Sequence, residues 1–446
     1  MDTIVAIATP RGRGGVGVIR ISGPLVLKIA DSLLSIESLQ PRYAHWCPFL
    51  DEQGAILDRG LALYFPGPHS FTGEDVLELQ AHGSPILLDL LIRHTLLLGA
   101  RIARPGEFSE RAFLNKKMDL VQAEAIADLI NAETELAARC AQKVVEGALS
   151  RELDQLLDAL LYLRMFMEAA IDFSDEEIDF LSDEGYGEKL HEVIEQLNQI
   201  IASAKQGSIL REGMNLLILG RPNAGKSSLL NRLSRKDRAI VSEWEGTTRD
   251  LLKEEIDLDG IPLHIIDTAG LRDTQDPIEQ EGIRRALQAA ESSDHILLLM
   301  DATKREEADL GLLSNLPPER SVTRVMNKID LAGEHPRIQA DDSGQTIIWL
   351  SAKTGAGMDL LMDHLKRSAG LGETTETTFL SRRRHIDALE KTRDASLDAQ
   401  SNLKSGRLEC VAEDLRQAHQ ALGEITGQMS SDELLGQIFS NFCIGK

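Results

Sequence analysis

Gly220-Arg221-Pro222-Asn223-Ala224-Gly225-Lys226-Ser227 restricts this chain more than any other stretch. It sits between an apolar segment, Leu216–Leu219, and a helical one opening at Ser228. A Gly-x-x-x-x-Gly-Lys-Ser run in that setting turns a buried strand into a helix through a loop whose N–H groups point inward. The glycines let the backbone wrap a β-phosphate. Lys226 sets a cation between β- and γ-phosphates, and Ser227 offers a hydroxyl to Mg²⁺. The surrounding sequence fits. Between about Met214 and Gly370, compact apolar runs (Leu216–Leu219, Leu263–Ile266, Ile296–Met300, Val322–Met326, Ile347–Leu350) alternate with helical stretches, the pattern of an α/β parallel sheet.

Four further strings follow in order. Asp267-Thr268-Ala269-Gly270 comes directly after a strand; Asp267 can hold Mg²⁺ through water, and the Gly270 amide can bond a γ-phosphate. Asn327-Lys328-Ile329-Asp330 follows Met326, and the Asp330 carboxylate can accept from guanine N1–H and its 2-amino group, a donor pair adenine lacks. Ser351-Ala352-Lys353 offers a backbone amide to the guanine carbonyl. Gly246-Thr247-Thr248-Arg249-Asp250 carries a threonine for the second Mg²⁺ hydroxyl. Together these imply GTP. The candidate nucleotide contacts are Asn223, Ala224, Gly225, Lys226, Ser227, Ser228, Ser242, Thr247, Thr248, Asp267, Thr268, Ala269, Gly270, Asn327, Lys328, Asp330, Ser351, Ala352 and Lys353. Leu271 stands where Ras-type switches keep a water-orienting glutamine, so another group must stabilise charge on the transferring phosphoryl.

The flanks differ from this block. Residues 1–118 hold short β-like runs (Thr3–Ala8, Gly17–Ile21, Val76–Leu79) broken by Gly and Pro. From 119 to 213 apolar residues recur at helical spacing, and no proline occurs between Pro105 and Pro222. Residues 214–371 form the nucleotide block. A polar linker, Gly372–Thr378, then leads into a second helical part, 372–446. The two helical segments are expected to pack on each other around the insertion.

The 48 basic and 71 acidic residues leave a net charge of −23, which excludes a nucleic-acid binder with a basic surface overall. An RNA partner must meet a local patch, for which Arg382-Arg383-Arg384-His385 is one candidate; the acidic run Asp172–Glu177 reads as an exposed loop and helix start. The four cysteines, Cys47, Cys140, Cys410 and Cys443, include no Cys-x-x-Cys pair, which excludes a zinc ribbon or disulfide scaffold. No apolar run reaches the ~20 residues of a bilayer span, and no signal peptide is evident, so the expected location is cytoplasmic. Gly12-Arg13-Gly14-Gly15-Val16-Gly17 is formally Gly-x-Gly-x-x-Gly, but it runs into a strand-like segment, which excludes dinucleotide binding.

The loop with its second serine, Gly-Thr-Thr-Arg-Asp, Asp-Thr-Ala-Gly-Leu-Arg, Ala8-Thr9-Pro10, Arg104-Pro105-Gly106-Glu107-Phe108 and the terminal Phe442-Cys443-Ile444-Gly445-Lys446 together resemble the MnmE (TrmE) family of tRNA modification GTPases over the whole chain. The resemblance implies a multidomain α/β plus all-α protein: an N-terminal folate-binding and dimerisation domain, a helical domain, and an inserted Ras-like P-loop GTPase domain. It implies a potassium ion in place of an arginine finger, held by Asn223, Ser242, Thr247 and the Trp244 carbonyl, with Ser227 and Thr248 on Mg²⁺ and Glu279 as the catalytic glutamate. It assigns Arg20, Glu78, Lys117 and Lys446 to a 5-formyl-tetrahydrofolate, and leaves Cys443 as either a nucleophile or a packed thiol. The implied partners are a second copy of the chain, the flavoprotein MnmG carrying FAD, and tRNA, whose wobble uridine would receive an aminomethyl-type group at C5. The alternative is a GTP-timed switch in ribosome assembly or stress, with no modification chemistry.

Overall fold

The computed structural model describes residues 2–10, 12–172, 184–236, 253–267, 290, 293–304, 321–341, 344–369, 379–428, 432–440, 442 and 445. They fall into two compact units. The first comprises Met1–Ala127, Val144–Ile194 and Lys391–Lys446; the second comprises Asp128–Lys143 and Glu195–Glu390.

In the first unit, β1 (Ile4–Ile7), β2 (Gly14–Ser22), β3 (His45–Leu50), β4 (Ile56–Phe65), β5 (Val76–Gly83) and β6 (Arg101–Ile102) form one sheet in the order β3-β4-β5-β2-β1-β6. All neighbours are antiparallel except β1 and β6. Two-residue alternation sends Ile19 and Ile21 of β2 and Leu77 and Leu79 of β5 into the core. There they meet Val26, Ile29 and Leu33 of α1 (Val26–Leu33) and Leu88 and Leu91 of α2 (Pro85–Leu97). Each such side chain contributes about 1.5–3 kcal/mol of burial. The same alternation turns Arg20 and Glu78 to the other face, directly opposite one another in register. Gly14–Gly17 lie within β2, so that glycine run is a strand rather than a helix-opening phosphate turn.

After α3 (Glu107–Leu114) come α4 (Leu120–Ile130), α5 (Glu135–Val145), α6 (Ala148–Asp172) and α7 (Glu184–Glu212). In the first unit α6 packs along α12 (Leu408–Thr426), which follows α11 (Arg383–Lys404), so chain from before and after the insertion does pack together. Gly106, at φ +66°, lies so close to α13 (Asp432–Ser440) that an added Cβ would meet the Phe439 carbonyl at 2.5 Å. The C-terminal helix therefore docks beside the start of α3.

In the second unit seven strands, β7 (Met214–Gly220), β8 (Lys253–Leu258), β9 (Ile261–Asp267), β10 (His295–Asp301), β11 (Ser321–Asn327), β12 (Arg337–Ala340) and β13 (Thr346–Trp349), run in the order β12-β13-β11-β10-β7-β9-β8. The five inner strands are parallel; β8 and β12 are antiparallel edges. The inner strands match the apolar runs of the sequence, with Leu350 just past the end of β13. The edges carry polar sequences, Lys-Glu-Glu-Ile-Asp-Leu and Arg-Ile-Gln-Ala, which a search for compact apolar runs passes over. α8 (Lys226–Lys236), α9 (Ile329–Ala332) and α10 (Met358–Ser368) complete the frame. Cys140 and Ala141 of α5 share its core with Leu258, Ile261 and Leu263, and the Thr134 hydroxyl donates to the Gly260 carbonyl at 2.8 Å.

Candidate functional site

The apolar strand β7 ends at Gly220, and the chain crosses to α8 in a loop that only particular backbones can make. Gly220 has φ +153°, and an added Cβ would stand 2.4 Å from the Leu299 carbonyl of the adjacent β10. Gly225 has φ +102°, and its added Cβ would stand 2.3 Å from Asn327 Nδ2. Between them Asn223, exposed, sits at φ +66°, a conformation asparagine tolerates better than most residues. Lys226 Nζ lies back over the loop and donates to the carbonyls of Gly220 and Arg221. Ser227 and Ser228 are exposed in the first turn of α8, where helix N–H groups favour an anion.

Asn327, at the end of β11, joins two loops. Its Nδ2 donates to the Ala224 carbonyl at 2.8 Å, and its Oδ1 accepts from the Ala352 amide at 2.9 Å. The side chain is buried, so losing either bond would leave a backbone group unpaired, at about 1–3 kcal/mol. The next residue, Lys328, is left-handed at φ +68° and its ammonium pairs with Asp301 at 2.6 Å. Burial pushes the Asp301 carboxyl up, but hydrogen bonds from Lys328 and Thr303 outweigh it and hold it at about 2. Asp330 accepts from the Ser351 hydroxyl at 2.6 Å. Asp330 is exposed. Since Ala352 gives its amide to Asn327, the Lys353 amide is the donor in that turn with no acceptor among the described residues. Arg232 of α8 closes the turn from outside by donating to the Thr354 carbonyl at 2.7 Å.

Two of these residues, Asp301 and Arg232, were not anticipated. Asp301 had a local signal: it ends an apolar strand two residues before Thr303, and that threonine's amide and hydroxyl both return to its carboxylate. Arg232 had none, because its acceptor is far along the chain. Of the remaining expected nucleotide, metal and catalytic residues, Asp267 is described as the last residue of β9. Ser242, Trp244, Thr247, Thr248, Thr268, Ala269, Gly270, Leu271 and Glu279 lie outside the described residues.

The expected folate residues fall in the first unit. Arg20 and Glu78 form a cross-strand ion pair at 2.8 Å, each about one-fifth exposed. The Arg20 guanidinium lies 5.3 Å from the Phe71 ring centre and 5.9 Å from that of Phe108, and points Nη1 at the Gly445 carbonyl, 3.5 Å away. Gly445, at φ +96°, fits against Ile7, whose carbonyl an added Cβ would meet at 2.4 Å. The C-terminal tail thus reaches the Arg20 face. Lys117 Nζ donates to the Pro68 carbonyl at 2.9 Å, in the loop that leads to Phe71. Cys443 and Lys446 lie outside the described residues.

Behind this face, Glu107 of the Arg104–Phe108 string is almost wholly buried. It accepts from the Arg104 amide at 2.8 Å and pairs with Arg101 and Arg111. Arg111 also pairs with Glu74 at 3.0 Å. Burial drives the Glu107 carboxyl up; the bonds from Arg101, the Arg104 amide and Arg111 overcome that and hold it at about 2. In the second unit, Arg382 of the basic run binds the buried Asp128 at 2.8 Å, beside Arg211. That residue of the run serves internal packing.

Residues 3–117 match the family model of the GTP-binding protein TrmE N-terminus, and residues 120–443 match that of the MnmE helical domain. The tRNA modification GTPase MnmE of Marinobacter nauticus is 54% identical over 453 aligned positions, covering 100% of this chain and 99% of its own. Those of Pseudomonas savastanoi pv. phaseolicola and Hydrogenovibrio crunogenus are 54% and 53% identical, with the same coverage of both chains. The chain belongs to the MnmE family of tRNA modification GTPases. Among solved structures, the cytosolic domain of the T. maritima FeoB iron transporter in a GDP form pairs with 48% of this chain at 19% identity and a TM-score of 0.28, a likeness too slight to carry an argument.

The MnmE family's GTP fits these loops: a phosphate cradle, a cation over it, and a carboxylate beyond Asn327. For metals, Asn223 and Ser227 present oxygen donors, which suit hard cations such as Mg²⁺ and K⁺. Among the described residues, no group of three His, Cys, Asp or Glu side chains could hold a metal, and no helix is long and apolar enough to cross a membrane.

Proposed function

We propose that this chain hydrolyses GTP with Mg²⁺ and K⁺ beside the phosphates, acts in the cytoplasm as a homodimer, and with the flavoprotein MnmG installs an aminomethyl-type group, such as carboxymethylaminomethyl, at C5 of the wobble uridine of certain tRNAs. Asn327 and Asp330 select guanine, and Lys226 neutralises the phosphates. Ser227 and Thr248 hold Mg²⁺. Asn223, Ser242, Thr247 and the Trp244 carbonyl hold K⁺, a cation that when bound supplies the charge an arginine finger supplies elsewhere. Glu279 orients the attacking water, which Leu271 cannot do. Arg20, Glu78, Lys117 and Lys446 bind a tetrahydrofolate, 5-formyl-tetrahydrofolate or a related form, and the form at the methylene oxidation level supplies the one-carbon unit to the tRNA; Cys443 serves either as a nucleophile or as a packed thiol.

The observation that carries this reading is the Asn327 bridge, which fastens the phosphate loop to the base-binding turn, in a chain that matches MnmE relatives end to end. The test has two parts. Purified protein is expected to turn over GTP at least tenfold faster in K⁺ than in Na⁺; equal rates would remove the cation from the scheme. Nucleoside analysis of tRNA from cells lacking the protein is expected to show unmodified wobble uridines. Normal uridines with accumulated ribosomal precursors would favour the assembly switch instead.

A further inference from the structure

Among the described residues, five that are not glycine hold left-handed backbones: Arg42, Lys116, Asn223, Asp259 and Lys328. That geometry costs on the order of 1 kcal/mol and concentrates where function demands it. Asn223 and Lys328 belong to the nucleotide loops, and Asp259 makes the tight turn between β8 and β9. The remaining two are cations in the first unit, on either side of one loop.

That loop is 66–73. Arg42 donates to the His69 carbonyl, and Lys117 donates to the carbonyl of the preceding residue, Pro68, at 2.9 Å. Asn115 donates to the Thr72 carbonyl at 2.7 Å, and Gly73 lies against Asn115 and Lys117. Lys116 stands at the C-terminal end of α3, a position glycine usually fills. Arg42, Lys116 and Lys117 are all exposed, and none has a carboxylate within ion-pair distance among the described residues. Two acids adjoin the loop: Glu74 is paired with Arg111, and Asp75 accepts from the Gly67 amide. With Glu74 already neutralised by Arg111, three cations against Asp75 make a locally positive strip in a chain of net charge −23. Phe71, in the same loop, carries the strip to the Arg20–Glu78 pair.

We propose that Arg42, Lys116 and Lys117 form a subsite for a string of carboxylates, the polyglutamate tail of the folate. The half-buried Arg20–Glu78 end takes the ring, and the exposed cations take the free α-carboxylates of the γ-linked chain beyond it. The subsite rests on the folate reading above. It makes polyglutamylated folate the preferred form, because each added glutamate brings a negative charge to cations that lack one.

Calorimetric titration of the full chain with 5-formyl-tetrahydrofolate bearing one or five glutamates tests this. At low salt the pentaglutamate is expected to bind roughly tenfold more tightly, from two or three exposed charge pairs, and the advantage should shrink as salt screens them. In the Arg42→Asn, Lys116→Asn double variant, whose asparagines suit left-handed backbone, the advantage should fall to about twofold, the share of Lys117. Equal affinities in the unaltered chain would overturn the subsite and leave the folate reading standing. If neither form binds, the folate reading itself falls. If the double variant keeps the advantage but loses affinity for tRNA, the strip is an RNA contact and the subsite is wrong.

Discussion

At the nucleotide loops most of the links rest on backbone geometry. Asn327 bonds two backbone groups, Ser351 donates to Asp330, and glycines at 220 and 225 allow close approach. On the Arg20 face and behind it, the links are ionic: Arg20 with Glu78, and Glu107 with two arginines. A site fixed by backbone geometry is nearly indifferent to salt. A site fixed by ion pairs weakens with salt, and with acid once its carboxylates protonate. The two units should therefore fail under different insults.

The sharpest way to break this contrast is Asn327→Ala. It leaves the Ala224 carbonyl and the Ala352 amide unpaired, so nucleotide affinity should fall by about 3–4 kcal/mol, several hundredfold, with little dependence on salt. Fluorescent-GDP titration at two ionic strengths measures it. A strong salt dependence would mean that charge matters at this site after all.

Glu107→Gln should cost the first unit about 3 kcal/mol, because Arg111 and Arg101 lose their buried partner. In calorimetry, the transition that GDP does not shift should move down while the GDP-shifted one stays. The carboxyl is depressed in the folded protein, so its contribution is present above its unfolded value of about 4.5 and disappears as pH falls towards about 2.

Acid reaches the second unit through His295. Burial first, and then neighbouring His364, lowers it to about 4 in a network with Thr323. Between that value and the ordinary 6.5 the unfolded chain binds the extra proton, so stability falls with pH. Lowering the pH from 7 to 5 should cost roughly 2 kcal/mol. His295→Gln should flatten that part of the profile; an unchanged slope would assign the loss elsewhere.

The smallest effect is expected from Asp301→Asn. Lys328 would lose its charged partner while keeping an acceptor, and nucleotide affinity should drop about fivefold, or ~1 kcal/mol. Any salt dependence of nucleotide affinity that stems from the Lys328–Asp301 pair should go with it.

The same contrast explains what was legible in the sequence. Gly220, Gly225, Asn327 and Asp330 were readable because a phosphate and a guanine edge demand particular atoms at particular strand ends. The five inner strands were readable because burial on both faces leaves unbroken apolar runs. Arg20 and Glu78 could be singled out only by family resemblance, since an ion pair shows no spacing until two strands are in register. β8 and β12 escaped because edges are polar. Arg232 and the left-handed lysine at 116 escaped because nothing beside them in the chain announces their role.

One packing detail bears on any attempt to study the GTPase portion alone. Cys140 and Ala141, far upstream of Met214, are seated among Leu258, Ile261 and Leu263, and Thr134 latches the hairpin turn at Gly260. A fragment beginning at the phosphate-loop strand would carry an oily scar where α5 had been. It should melt lower and self-associate more readily than a piece that keeps the upstream helix tethered to it.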